Sequence, residues 1–337
     1  MIYPNFIKEN GIIGVPAPSN GASSLEKINK FKNAIKRFED LGYKLELSEN
    51  LFNSIKGRSA DKKIRAEEVN KMFKSKEINL ILCATGGDFL LEILQDIDFD
   101  LLRKNPKWVA GFSDPTGLLY TITSKYDIAT IYGQNFSPFG AEPIHKSQED
   151  FLKIIKGDLV KQENYELYED GYQENKTGLE PYNLTKKVYW NTLDDEEVDI
   201  SGRMLGGCFD IIAELAGTKY DGIKEFNEKY KEDGIIWFFD NCEITMEETI
   251  RTLWKMSELD YFKHAKAVIF GRFGVDTTFY NYDVKTCLED SILKELKIPI
   301  IYDADVSHKA PCLNIINGAI GNIKVKDGKA KIEFKLK

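Results

Sequence analysis

Histidine is scarce in this chain: 337 residues hold three, His145, His264 and His308. They stand far apart and no H-E-x-x-H occurs, which removes the common zinc-hydrolase pattern. Any chemistry on an imidazole must come from one of these three. Cys83, Cys208, Cys242, Cys287 and Cys312 are odd in number, widely spaced and form no C-x-x-C pair. They argue against a zinc site or a disulfide framework and for reduced thiols in a cytoplasmic protein. No apolar run approaches the roughly 20 residues of a spanning helix. The first thirteen residues lack the basic stretch and long apolar core of a secretory signal, so no membrane is expected. A basic excess is missing too: 46 Lys and Arg face 54 Asp and Glu, a net charge of −8. Without a basic stripe, nucleic acid is not expected as a partner. Neither G-x-G-x-x-G nor G-x-x-x-x-G-K-[ST] is present, which leaves dinucleotide and P-loop readings unsupported. No repeat of about 20 to 50 residues suggests a solenoid or propeller.

What remains is an ordinary globular composition, 42% hydrophobic and 30% charged, and a length that suits two domains at about 150 residues each. Over residues 1–140, short apolar runs alternate with amphipathic ones. Strands are expected at 11–15, 80–84, 108–110 and 128–132. Helices are expected after a Ser23/Glu26 capping box, over 60–73, over 89–97 and over 116–124. This alternation predicts a doubly wound parallel sheet. Residues 141–200, rich in Glu, Lys, Asn, Tyr and Gly and weakly periodic, as over 168–175, read as an inter-domain connection with some exposed hairpin structure. Order resumes in 201–337. A strand is expected over 235–239, then a helix capped by Thr245 and Glu248. Further strands follow at 267–270 and 298–302, and a hairpin at 323–334 around Asp327-Gly328. The second domain is expected as α/β with a β-rich, barrel-like core.

The segment Trp108-Val109-Ala110-Gly111-Phe112-Ser113-Asp114-Pro115-Thr116 carries most of the chemical information. An apolar strand ends two residues before a serine, and a helical pattern follows at once. Such a turn projects its side chain beyond the carboxyl edge of the sheet, near backbone N–H groups able to hold an oxyanion. Ser113 equally fits a plain helix N-cap, and the turn departs from G-x-S-x-G. Thr85-Gly86-Gly87-Asp88 opens another helix, and its glycines permit close backbone approach to a ligand. A turn that merely needs glycine dihedrals would look the same.

Taken in order, Gly14-Val15-Pro16-Ala17-Pro18-Ser19, Thr85-Gly86-Gly87, 106–116, Gly133-Gln134-Asn135, Gly202 to Cys208, the strand ending at Asp240 and Ser307-His308-Lys309 make a specific set. The chain resembles the LD-carboxypeptidases over nearly its whole length. That family of serine peptidases includes the muramoyltetrapeptide carboxypeptidases and the microcin C self-immunity proteins. The resemblance implies Ser113 as nucleophile and His308 as base. The family usually shows a Glu eleven residues before an Arg; here Asp240 precedes Arg251 by eleven, so Asp240 stands as the acid, with Glu243 as the fallback. Aspartate can orient an imidazole as glutamate does, but it is one methylene shorter, so the backbone must come closer. His264 and His145 read as surface residues. Backbone N–H groups of Gly87 and Asp114 are the candidate oxyanion hole, and Gly86, Arg203 and Lys309 the candidate substrate contacts. The nucleophile falls in the first domain and both partners in the second, so the site is expected at the domain interface. No metal or organic cofactor is required. A murein tetrapeptide losing its terminal D-alanine is the substrate the resemblance implies. Alternatives are a peptidyl or aminoacyl nucleotide, for which Trp190 or Trp237 could supply a platform, and a peptide-binding protein that has lost catalysis. The family analogy also makes a homodimer reasonable.

Overall fold

The computed structural model describes residues 1–171, 176–275 and 277–337. The chain divides into two compact units. The first comprises Met1–Val160 with the described part of 173–181, and the second the described part of 161–172 with Tyr182–Lys337.

The first unit is built on strands β1 (Ile12–Val15), β2 (Lys44–Leu47), β3 (Ile78–Leu82), β4 (Trp108–Gly111) and β5 (Thr130–Tyr132). They pair in parallel in the order 2-1-3-4-5. The interleaved helices are α1 (Leu25–Asp40), α2 (Lys62–Lys74), α3 (Phe99–Lys104) and α4 (Thr116–Tyr126), and α5 (Lys146–Ile154) follows. Leu80, Ile81 and Leu82 on β3, and the whole of β4, are buried, as the uninterrupted apolar runs require of strands covered on both faces. The strand order reverses between β1 and β3. In open parallel sheets ligands bind at such a switch point, beyond the carboxyl ends of the strands.

Three local expectations are corrected. The N-cap of α1 is Ser24 rather than Ser23, because its side chain accepts the N–H of Lys27. The helix expected over 89–97 is a 3-10 turn, Leu90–Asp96. His145, read as a linker surface residue, caps α5: its Nδ1 accepts the Ser147 N–H at 3.1 Å. The stretch expected as a connection is shared out: α5 packs with the first unit, while its later part supplies strands to the second. The stretch in which hairpin structure was expected lies partly outside the described residues. Within them, β7 (Leu167–Tyr168) pairs antiparallel with β8 (Lys186–Lys187).

The second unit holds β6 (Gln162–Glu163), β9 (Asn191–Thr192), β10 (Val198–Cys208), β11 (Ile235–Asp240), β12 (Ala265–Gly271), β13 (Ile300–Ala304), β14 (Ile315–Asn317), β15 (Ile320–Lys326) and β16 (Lys329–Lys335). Its helices are α6 (Phe209–Leu215), α7 (Ile223–Tyr230), α8 (Met246–Glu258) and α9 (Val284–Glu289). Eight strands form one sheet in the order 6-16-15-10-11-12-13-9. The domain is β-rich, and among the described residues the pairing ends at β6 and β9 without closing. Strands β10 to β13 run parallel, and β15 and β16 form the antiparallel hairpin read from Asp327-Gly328. Every residue of β11 is buried. The Thr245/Glu248 capping box of α8 forms as expected. Among the described residues no helix is long and apolar enough to cross a membrane.

Candidate active site

In the first unit, β4 delivers Phe112 into a clasp. Its N–H donates to Asn135 Oδ1 at 2.9 Å, and Asn135 Nδ2 returns a bond to the Phe112 carbonyl at 3.0 Å. Held there, the chain turns through Ser113 at φ +70°, a left-handed conformation that costs a non-glycine residue about 1–3 kcal/mol and marks sites where the fold imposes strain. The Ser113 carbonyl accepts the Thr116 N–H at 2.8 Å, so α4 starts immediately. A strained serine between a strand and a buried helix is the geometry of a nucleophile elbow, not of a plain N-cap: the N-cap position is Pro115.

The glycine turn after β3 lies against this serine. A Cβ on Gly86 would stand 3.1 Å from Ser113 Cβ and 3.2 Å from its Oγ. Gly87 sits at φ +151°, and a Cβ there would come within 2.3 Å of Ser19 Oγ. A side chain at Gly87 would displace the buried Ser19 and one at Gly86 would crowd Ser113, so the glycines let peptide N–H groups come close to the hydroxyl. Asp114 is 1% exposed, and its Oδ2 accepts Ser19 Oγ and, at 2.9 Å, the Leu90 N–H. Burial raises its pKa against those two bonds. The Asp114 side chain thus ties the turns after β1, β3 and β4 together, and only its backbone N–H is a candidate oxyanion donor.

In the second unit, β11 ends at Asp240, which is fully buried. Its Oδ1 accepts two bonds from one residue, the backbone N–H of His308 at 3.0 Å and the ring Nδ1 at 2.9 Å. The His308 backbone thus lies close to the short carboxylate. The bond at Nδ1 selects the tautomer that leaves Nε2 as the proton-exchanging atom. Burial works to lower the imidazole pKa, but the charge and hydrogen bond of Asp240, helped by Cys242, prevail and hold it well above 6.5. Burial in turn pushes the Cys242 thiol up.

The sign of that shift makes a prediction. A base must be unprotonated to act, so a raised His308 pKa places the acidic limb of kcat/KM above pH 6.5, with activity rising as pH climbs through it. A pH profile of kcat/KM checks this; a limb at or below 6.5 contradicts it.

Other candidates separate cleanly. Glu243 is exposed and contributes its backbone N–H to Asp210 Oδ1 at 2.8 Å, so the fallback acid is withdrawn in favour of Asp240. Lys309 is adjacent to His308, and its ammonium stands 3.4 Å from Asp170. His264 lies 3.8 Å from Glu228. Arg203 is a correction. Its guanidinium is 3% exposed, pairs with Asp233, donates to the carbonyls of Gly318 and Lys337, and stacks 3.9 Å over Tyr230. It pairs with Ile235, whereas Cys208 pairs with Asp240; five residues of strand put it roughly 16 Å from the acid. Arg203→Met is expected to lower stability by about 1–3 kcal/mol, chiefly because the buried Gly318 carbonyl loses its donor while Asp233 keeps Lys337, and to leave KM within about twofold. Urea denaturation and steady-state kinetics test this; a raised KM with unchanged stability would return Arg203 to the substrate. Trp190 and Trp237 are 1% and 0% exposed, and their indole N–H groups donate to Asp305 Oδ2 at 2.9 Å and the Tyr261 carbonyl at 3.0 Å. Neither offers a free face to a base.

The first unit thus holds a strained serine at a strand end beside a glycine turn, and the second an imidazole held by a buried carboxylate, each a feature that serine hydrolases use. The chain belongs to the LD-carboxypeptidase family: the model of that family's N-terminal domain matches residues 13–133 and that of its C-terminal domain residues 201–323. It is 27% identical over 312 residues to the microcin C7 self-immunity protein MccF of Escherichia coli, covering 88% of this chain and 86% of that one. It is 29% identical over 143 residues to a protein of Bacillus subtilis strain 168 named "Probable murein peptide carboxypeptidase", covering 42% and 44%. The crystal structure of an MccF-like protein from Bacillus anthracis strain Ames superposes with a TM-score of 0.82 at 24% identity, covering 100% of both chains, which establishes a shared fold.

Proposed function

We propose that this chain is a serine carboxypeptidase that cleaves the L,D-peptide bond releasing terminal D-alanine from a murein tetrapeptide during cell-wall recycling. In this reading Ser113 attacks the carbonyl, His308 takes its proton and later delivers it to the leaving amine, and Asp240 holds the imidazole. N–H groups of Gly87 and Asp114 bind the oxyanion. Lys309, adjacent to the base, is the cation assigned to the substrate's carboxylate. The observation that carries the reading is the pair of hydrogen bonds from His308 to Asp240 Oδ1. That pair does for the imidazole what a triad acid must do.

A second reading, cleavage of a peptidyl or aminoacyl nucleotide, draws support from the likeness to MccF over most of both chains. The burial of Trp190 and Trp237 weighs against it, since neither supplies the expected platform. Mass spectrometry on murein tri-, tetra- and pentapeptides, with an aminoacyl sulfamoyl adenylate alongside, separates the two. Loss of one D-alanine from the tetrapeptide alone supports the first reading, cleavage of the adenylate alone supports the second, and turnover of neither sinks both in favour of a binding role.

A further inference from the structure

The loop that carries His308 closes around one buried guanidinium. Arg272 follows β12 directly and is 4% exposed. Its Nη1 donates to Asp305 Oδ1 at 2.6 Å, and its Nη2 to the carbonyls of Lys309 at 2.7 Å and Pro311 at 3.3 Å. Its own carbonyl accepts Ser307 Oγ at 2.7 Å, and that oxygen in turn accepts the Lys309 N–H at 2.9 Å. Both sequence neighbours of His308 are therefore bound to Arg272, one through its backbone and the other through its side chain. Asp305, fully buried, is fixed from its far side by Trp190 Nε1 at 2.9 Å and the Tyr165 N–H at 3.1 Å. Its carbonyl takes the Leu313 N–H at 2.7 Å.

We propose that Arg272, locked by Asp305, is a positioning residue that sets the His308 imidazole against Asp240. The proposal rests on His308 being the catalytic base. Asp240 is short, and both bonds to its Oδ1 come from residue 308, so both depend on where the loop backbone sits. A hydrogen bond weakens steeply as its angle falls below about 120°, and a misplacement of about 1 Å can cost 10²-fold in rate. The planar guanidinium reaches Asp305 on one side and two carbonyls on the other; an ammonium on a single stem has no fixed fork to do this.

The test compares Arg272→Lys with the parent by kinetics and by proton NMR of the His308 Nδ1–H. With only three histidines in the chain, that resonance is assigned by its loss in His308→Gln. The expected result is a folded variant with kcat lower by about 10²-fold and KM within about twofold. Its acidic limb should move back toward 6.5, and its Nδ1–H resonance should be displaced or broadened. A folded Arg272→Lys with the parent's resonance, limb and kcat overturns the proposal. Should that variant fail to fold, Asp305→Asn, which keeps the side-chain shape, is read by the same resonance with the same two outcomes. The NMR signal requires no substrate, so a displaced resonance in a chain that shows no peptidase activity would refute the catalytic reading while leaving the positioning geometry standing.

Discussion

Ser113→Ala is expected to lower kcat by about 10⁶, because loss of the nucleophile in a triad removes nearly the whole of its contribution at once. The change deletes one oxygen. It leaves the Asn135 clasp on Phe112 intact, as well as the Asp114 carboxylate that joins three turns. Alanine meets the same left-handed penalty at φ +70° as serine does. The thermal midpoint should therefore stay close to the parent's while activity collapses, and KM should change little. Kinetics of product release, paired with a melting curve, measure both. Activity within about tenfold of the parent would mean that the reaction does not pass through Ser113.

Asp240→Asn is expected to cost about 10⁴ in kcat, the penalty for an imidazole held in the wrong tautomer. The exchange is isosteric, so the fully buried site keeps its packing. What changes is the partner offered to His308. The carboxylate accepts from both the ring and the backbone N–H; the amide has one accepting oxygen and an NH₂ that can only donate. The charge that raises the imidazole pKa also goes. The residual activity of Asp240→Asn should accordingly show its acidic limb below the parent's. An unchanged limb with full activity would remove Asp240 from the mechanism.

The sequence made the parallel sheet legible because buried strands read as continuous apolar runs; 80–84 and 235–239 could hardly be anything else. The sharp turn at 111–116 was legible for a related reason, a strand, a glycine and a helical pattern in close succession. The role of Ser113 came only from the family resemblance, since the same pattern fits a helix N-cap. The contacts that brace these turns were not legible. Ser19 and Asp114 are 95 residues apart, and Arg272 and Asp305 are 33 apart. Nothing in local periodicity distinguishes a serine that bonds a distant carboxylate from one that faces water. Arg203 misled for the opposite reason. It belongs to a motif that the family resemblance singles out, but strand register, not motif membership, decides which end of the sheet a residue occupies. The helix at 146–154 was missed because its N-cap is a histidine, a residue outside the usual capping set.

The account's central claim is that Ser113 is a nucleophile activated by His308. A fluorophosphonate probe followed by peptide mapping tests it without knowledge of the substrate. The account predicts one adduct, on Ser113, absent from Ser113→Ala and from His308→Ala. Folded protein that stays unlabelled, or that carries the adduct on another residue, would contradict it.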